Sequence, residues 1–431
     1  VGDVVRTAEH VGQAPKSLVP ARSVLDYVGA RIRHLRTACD LSQAELGARI
    51  FVHRDLVRKI ETAERIPSHE IIERCDQLLN GRGSLTRLLP LIERERLLRS
   101  NRDGEARSTV FRSAATDRPV LDWLLAKPSN GRCSSPDDDT VTGAAAMLEQ
   151  LRSQDHVHGA GVTYPTLAAA LHGKLPSLCT AAPQIATGML ELAGYEAIDL
   201  GVDGLAQQHY LRALDLTTQS GNHLYGGYLV AVSLAHLALH CGDPAQALRL
   251  ATAGLHGTEK HATPAVRAAL RTVLARAHAR CGDEAACTAA LRQAEADLGR
   301  SRPADEPEWI GYFGEADLAD EKAHCFFDLG LYELAHREAG SALRLLPPDR
   351  ARRISIDTAL QAAALARAGQ LDRACATARR AIDHAAGLAS FRTTHRIVLV
   401  LAELQPHADL TEVREVADYA HAALQPLIMP A

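Results

Sequence analysis

Residues Leu41–Pro67 read LSQAELGARIFVHRDLVRKIETAERIP, and the reading of this stretch decides what kind of domain opens the chain. Ser42 and Glu45 form an S-x-x-E capping box, in which the hydroxyl takes an orphan backbone N–H while the carboxylate reaches back to the cap. Leu46 and Ile50 fall on one face of a first short helix, and Leu56, Val57 and Ile60 on one face of a second. That register leaves Arg54, Asp55, Arg58 and Lys59 pointing away from the core. A short helix held by its apolar face and carrying cations outward suits a DNA major groove.

The same rhythm continues on both sides. Val24, Val28, Ile32 and Leu35 recur at helical spacing before the motif, and His69–Leu79 and Leu85–Leu98 follow it. Five short helices are therefore expected within residues 23–99, after a loose arm over 1–22 that mixes Gly, Pro, Lys and Ser without period. Charge supports a separate head. Residues 1–118 hold 21 Lys/Arg against 16 Asp/Glu, or +5, whereas the remainder holds 27 against 36, or −9. Phosphate contacts need cations only where the duplex lies, so a basic head on an acidic body is compatible with local DNA binding.

The pieces IRHLR, LSQAEL and V-R-K-I-E, with the closing proline, resemble the lambda-repressor-like (XRE-type) helix-turn-helix family. The resemblance implies that Gln43 contacts the DNA backbone and orients the next helix, that Arg54 and Asp55 read base edges, and that Arg58 and Lys59 face the groove one turn later. Thr62 completes that implied set, and Arg36 is expected to pair with Glu61. The chain departs from the family at Asp40 and Ala63, where glycine is usual, at Phe51 in the inter-helix turn, and at His53, where Ser or Thr normally caps. A non-glycine residue in a left-handed conformation costs on the order of 1 kcal/mol.

Residues 100–140 read as a linker, polar over Ser100–Asp117 and rich in Pro, Ser, Gly and Asp over Pro128–Thr140; between these, VLDWLLAK predicts a short helix that docks Trp123. The body, 141–431, is repetitive. Gly242, Gly282, Gly330 and Gly369 each follow a small residue by seven positions (Ala235, Ala275, Ala323, Ala362) and precede another by five (Ala247, Cys287, Ala335, Ala374). Gly201 fits the scheme more loosely, and the successive spacings are 41, 40, 48 and 39 residues. Small residues let two antiparallel helices cross closely while the glycine reverses the chain. Ala323, Gly330, Ala335, Ala342 and Pro347 give the units a resemblance to tetratricopeptide repeats. Five units and an irregular sixth (Phe391–Leu424) are expected, with Val141–His156 and Tyr164–Leu175 as an N-terminal cap.

Such an α-solenoid has a concave face built mainly from the first helix of each pair. Tyr195, Asp199, His236, His240, Arg276, Arg280, His324, Asp328 and Arg367 occupy the positions that this type of repeat turns inward, a lining suited to a polar small molecule or a peptide. His236 and His240 share a helical face but lack a third ligand, so no metal is expected. The nine cysteines show no C-x-x-C spacing and are expected to be reduced. No P-loop, dinucleotide fingerprint or catalytic constellation is present, so neither enzymatic activity nor a cofactor is expected.

The combined expectation is an all-α protein: a five-helix lambda-repressor-like DNA-binding domain followed by a tetratricopeptide-type α-solenoid that serves for sensing and dimerisation. The arrangement is similar to that of peptide-pheromone-responsive bacterial regulators used in quorum sensing. That resemblance implies double-stranded operator DNA and a small-molecule or peptide effector as partners. It also implies a homodimer and a cytoplasmic location, nucleoid-associated when DNA is bound. No apolar run or signal-peptide core is seen, and no membrane partner is expected. The alternative is a repeat-based interaction scaffold whose helix-turn-helix head is degenerate.

Overall fold

The computed structural model describes residues 18, 23–103, 110–126 and 138–424. The expected arm lies outside the described residues apart from Leu18, as do residues 104–109 and 127–137 of the expected linker. All regular elements among the described residues are helices, and the chain divides into two compact units, Val1–Leu88 and Leu89–Ala431.

The first unit contains α1 (Val24–Ala38), α2 (Gln43–Arg49), α3 (Arg54–Glu61) and α4 (His69–Leu78), closed by a 3₁₀ turn, Thr86–Leu88. Ser23, Ser42 and Ser68 cap three of these helices, and the expected reciprocal box between Ser42 and Glu45 is formed. Leu25, Val28, Ile32, Leu46, Ile50, Val57, Ile60 and Ile72 are buried. At Gly29 an added Cβ would stand 2.7 Å from the Ile60 carbonyl oxygen, so α1 and α3 touch backbone to backbone. The loop after α4 is organised by Asp76, whose carboxylate accepts the backbone N–H groups of Gly83 (2.7 Å) and Leu85 (3.0 Å).

The fifth expected helix differs. Leu85–Leu88 stays with the first unit as a turn, and a new helix, α5 (Leu89–Asp103), belongs to the second. Pro90, which has no N–H to donate, suits the first turn of a helix. The linker reading is also revised. Helix α6 (Ala114–Leu125) packs on the body, where Trp123 is fully buried, stacks on His223 at 4.6 Å and donates Nε1–H to the His223 carbonyl (3.2 Å).

The rest of the second unit is a succession of antiparallel helices: α7 (Asp138–His158), α8 (Ala160–Ala181), α9 (Pro183–Asp199), α10 (Asp203–Ser220), α11 (His223–Tyr228) and α12 (Ala235–His240). They continue through α13 (Pro244–Thr258), α14 (Pro264–Arg280), α15 (Glu284–Leu298), α16 (Glu315–Asp328), α17 (Tyr332–Leu345), α18 (Ala351–Arg367), α19 (Leu371–Ala386), α20 (Phe391–Leu404) and α21 (Thr411–Leu424). A π-wound stretch, Leu229–Leu234, joins α11 to α12.

The repeat scheme takes the expected form. Gly201, Gly242, Gly282, Gly330 and Gly369 are all left-handed, with φ between 72° and 79°. After each, the next residue's N–H returns to a carbonyl five positions back, as in Asp243 to Ala238 and Gln370 to Leu365, both 2.9 Å. Ala235, Ala275, Ala323 and Ala362 are completely buried, and so are Ala247, Cys287, Ala335 and Ala374. In the loosest unit the small position is Gly194, where an added Cβ would meet the Tyr210 ring at 2.3 Å.

Where an N-terminal cap was expected, the structure has a clasp. The α7–α8 junction meets the segment before α20: the Ala389 N–H bonds to the His158 carbonyl and the Gly161 N–H to the Ala389 carbonyl, both 2.8 Å. Arg352 pairs with Asp155, and the Ser390 hydroxyl donates to Asp199 at 2.6 Å. The first and last parts of the repeat body therefore touch, and the concave face becomes the wall of a ring. Helix α5 packs at this seam, where Arg94 lies 5.3 Å from the Phe391 ring and 3.4 Å from the Gly201 carbonyl.

Candidate functional site

Two places carry exposed or interior polar chemistry, one in each unit. In the first, α3 buries Val57 and Ile60 and turns Arg54, Asp55, Arg58 and Lys59 to solvent, as the apolar spacing requires. The helix is held from behind by Glu61. Its fully buried carboxylate accepts from Arg36 Nε (2.6 Å), a second Arg36 nitrogen (3.0 Å) and the Gln43 amide (2.7 Å). The expected Arg36–Glu61 pair is thus present, and Gln43 reaches across from α2 to fix the end of α3. Arg58 lies against Glu64 at 3.3 Å, and Arg54 is 3.9 Å from Asp55.

Thr62 corrects the expected surface. It is buried, and its hydroxyl donates back to the Arg58 carbonyl (3.0 Å) at the end of the helix. It finishes α3 and is not part of the exposed face. Asp40 and Ala63, the two departures from glycine, do adopt left-handed conformations, with φ of 53° and 58°, and so does Phe51 in the inter-helix turn, with φ of 61°. His53 caps after all, because its ring Nδ1 accepts the Asp55 N–H at 3.3 Å.

In the second unit the ring surrounds a cavity of about 1640 Å³ lined from α7 to α20. Tyr195, His236, His240, Arg276, Arg280, His324 and Asp328 line it, as their repeat positions predict. Asp199 and Arg367 do not. Asp199 turns into the seam, accepting the Ala160 N–H (3.1 Å) beside Arg352 (3.7 Å), and Arg367 is engaged outside by the Tyr332 hydroxyl (2.6 Å) and Glu403 (3.6 Å).

The lining is electrostatically ordered. Glu321 lies 3.0 Å from His236 Nε2 and 3.3 Å from Arg276. Burial opposes its ionisation, but those two partners prevail and hold the carboxyl well below the usual range. Arg353 gathers Asp317 (3.2 Å), Asp320 (2.9 Å) and Asp357 (3.0 Å). Burial raises Asp317 and Asp357 nonetheless. Burial, reinforced by nearby arginines, keeps His324 neutral by lowering it well below the ordinary histidine value.

Sequence reasoning missed two parts of this wall. Trp309 and Tyr312 come from the long connection between α15 and α16. Trp309 stacks on Tyr225 at 4.6 Å with the rings nearly parallel, and the Tyr312 and Tyr228 hydroxyls are 2.7 Å apart. The 48-residue spacing, the one irregular interval in the series, is the signal that marked this insertion. Arg392, His395 and Arg396 come from the sixth unit, which has no landmark glycine from which to count inward positions.

Among the described residues no helix is long and apolar enough to cross a membrane. No curated protein matches the chain closely enough to be counted a relative. Residues 28–89 match the family described as a helix-turn-helix domain, spanning α1 to the closing turn of the first unit. Together with the exposed basic face of α3, that match makes the first unit a helix-turn-helix domain of the DNA-binding kind.

Proposed function

We propose that the protein is a cytoplasmic transcriptional regulator whose second unit, a tetratricopeptide-type ring, binds an effector and controls operator binding by a homodimer. The observation that carries the reading is the pairing in one chain of an outward Arg54–Arg58–Lys59 face with a large cavity lined by charged and aromatic side chains. An arginine can grip guanine O6 and N7 with two parallel bonds, and a lysine supplies a point charge for phosphate. A single eight-residue helix makes few such contacts, so two heads on a palindromic site multiply them. The effector acts only if it binds one arrangement of the ring better than another. Helix α5 opens the second unit directly after the helix-turn-helix domain and packs on the ring's seam, which makes it the natural element to report that arrangement. No catalytic role is proposed.

The test is a mobility-shift titration of the full chain against the DNA upstream of its own gene. Replacing Arg54 and Arg58 by alanine should abolish a specific shift, and replacing Lys59 should reduce the salt slope by about one. A shift indifferent to all three residues sinks the mechanism. Left-handed Asp40 and Ala63, where glycine is usual, favour a second reading, a repeat scaffold with a degenerate head. No shift at low salt would support that one.

A further inference from the structure

The cavity has two poles that no part of the helix-turn-helix match explains. One is aromatic: Trp309 stacked on Tyr225, with Tyr228 and Tyr312 beside them. The other is cationic. Arg392 and Arg396 stand one turn apart on α20, and both line the cavity, as does Arg276 from a facing helix.

The carboxylates nearby are already engaged. Glu321 has His236 and Arg276, Asp328 has Arg280 at 3.6 Å, and Asp317, Asp320 and Asp357 gather on Arg353. No carboxylate pairs with Arg392 or Arg396 among the described residues, and Arg392 Nε has neither solvent contact nor a hydrogen-bond partner there. Burial first, then the like charges of Arg392 and Arg276, push the Arg396 guanidinium down to about 9, and Asp320 and Asp328 offset this only in part. It remains charged at neutral pH, and an anion at this corner would relieve the repulsion that those carboxylates leave. Arg392 and Arg396 are both half-buried, and a shielded Arg392 Nε without a partner beside a large cavity points to a missing acceptor.

We propose that the Arg276–Arg392–Arg396 corner holds the anionic group of a small organic acid whose flat, apolar body lies against Trp309 and Tyr312. The proposal rests on the reading of the cavity as an effector site and adds the ligand's chemical class. A planar guanidinium matches a carboxylate or sulfonate with two parallel bonds, and the stacked indole offers a face for a conjugated or aromatic body. A neutral apolar molecule would leave the arginines unpaired and bind poorly for that reason.

The probe is 8-anilinonaphthalene-1-sulfonate, a flat aromatic body with one sulfonate, followed by its fluorescence on the full chain. Its uncharged counterpart is N-phenyl-1-naphthylamine. The anionic dye is expected to bind the more tightly. The double variant Arg392→Gln, Arg396→Gln should weaken it by about tenfold or more while leaving the neutral dye nearly unchanged. Arg396→Lys should retain most of the affinity, and Trp309→Ala should weaken both dyes. On the unaltered protein, 2-naphthoate should displace the anionic dye and 2-naphthylmethanol should not, which keeps the test decisive if a variant fails to fold. Equal binding of charged and neutral probes, or an affinity indifferent to both arginines, overturns the proposal. Anion binding without any effect on the mobility shift would overturn only the regulator reading. A normal shift with arginine-independent dye binding would overturn only this proposal.

Discussion

Arg352 and Asp155 are 197 positions apart in the chain and meet in a two-pronged ion pair, both arms 2.5 Å, with both side chains almost completely shielded from solvent. The guanidinium also lies 4.6 Å from the centre of the Tyr195 ring and 3.7 Å from Asp199. This one side chain therefore joins α7, α9 and α18, and it ties the beginning of the repeat body to its later part.

Arg352→Met should cost about 3–5 kcal/mol, because it leaves Asp155 buried without its partner. The ring should loosen at the same time. Denaturant unfolding will give the loss, and small-angle scattering should show a larger radius of gyration for the variant.

Asp155 and Asp199 share this seam with Glu196, which accepts from the Thr163 hydroxyl at 2.8 Å. Burial raises Glu196 well above its ordinary value, and the neighbouring Asp155 adds to the effect; burial also lifts Asp155 to about 6 despite the pull of Arg352. Carboxyls raised in the folded state stabilise it below their unfolded values, and that contribution is lost as pH rises through the folded ones. Melting temperature should therefore fall as pH climbs from about 5 through 6 and beyond. Glu196→Gln, which keeps an acceptor for Thr163 and removes the charge, should raise the melting temperature at pH 8, leave it nearly unchanged near pH 4 and flatten the profile. A profile identical to the parent's would show that Glu196 does not titrate in this range.

Ala63→Gly should stabilise the first unit by up to about 1 kcal/mol, since Ala63 holds φ 58° and glycine adopts that region freely. Asp40→Gly should act in the same direction. Neither residue lies on the exposed face of α3, so any DNA affinity should be unchanged. Thermal denaturation and a parallel mobility shift will separate the two effects.

Trp123→Ala should release α6 from the ring and cost about 3–5 kcal/mol, the range for emptying a fully buried tryptophan site. The seat is made by glycines: a Cβ added at Gly226 would stand 2.4 Å from Trp123 Nε1, and one at Gly257 2.3 Å from the indole. Gly257→Val should therefore also expel the ring. Limited proteolysis within 110–126, absent or slow in the parent chain, should become rapid in both variants.

The first unit was legible because its contacts are short in sequence. The capping box at Ser42 and the Val57–Ile60 face follow from spacing of a few residues, and the left-handed turns at Asp40 and Ala63 from the resemblance, which puts glycine there. The repeats were legible for the same reason, since each glycine reversal and its two small neighbours lie within a dozen positions. Seven of the nine expected groove residues line the cavity because a helical register, once anchored at a small residue, carries its inward positions with it. Thr62, included by the resemblance, was misplaced because α3 ends at Glu61 and the Thr62 hydroxyl turns back to the helix end.

By itself, then, the chain determined an all-helical protein, a helix-turn-helix head, the phase of the repeats and most of one inner face. Only the tertiary structure decided that the inner face closes. Closure depends on small rotations accumulated over successive hairpins, and on meetings such as Arg352 with Asp155 or Ala389 with His158, which no local pattern encodes. It also decided which charges are satisfied. Asp199 was taken by the seam, Arg367 by the outer surface, and Arg392 with Arg396 were left facing the interior without a carboxylate among the described residues. Composition counts charges, but pairing depends on where distant helices bring them.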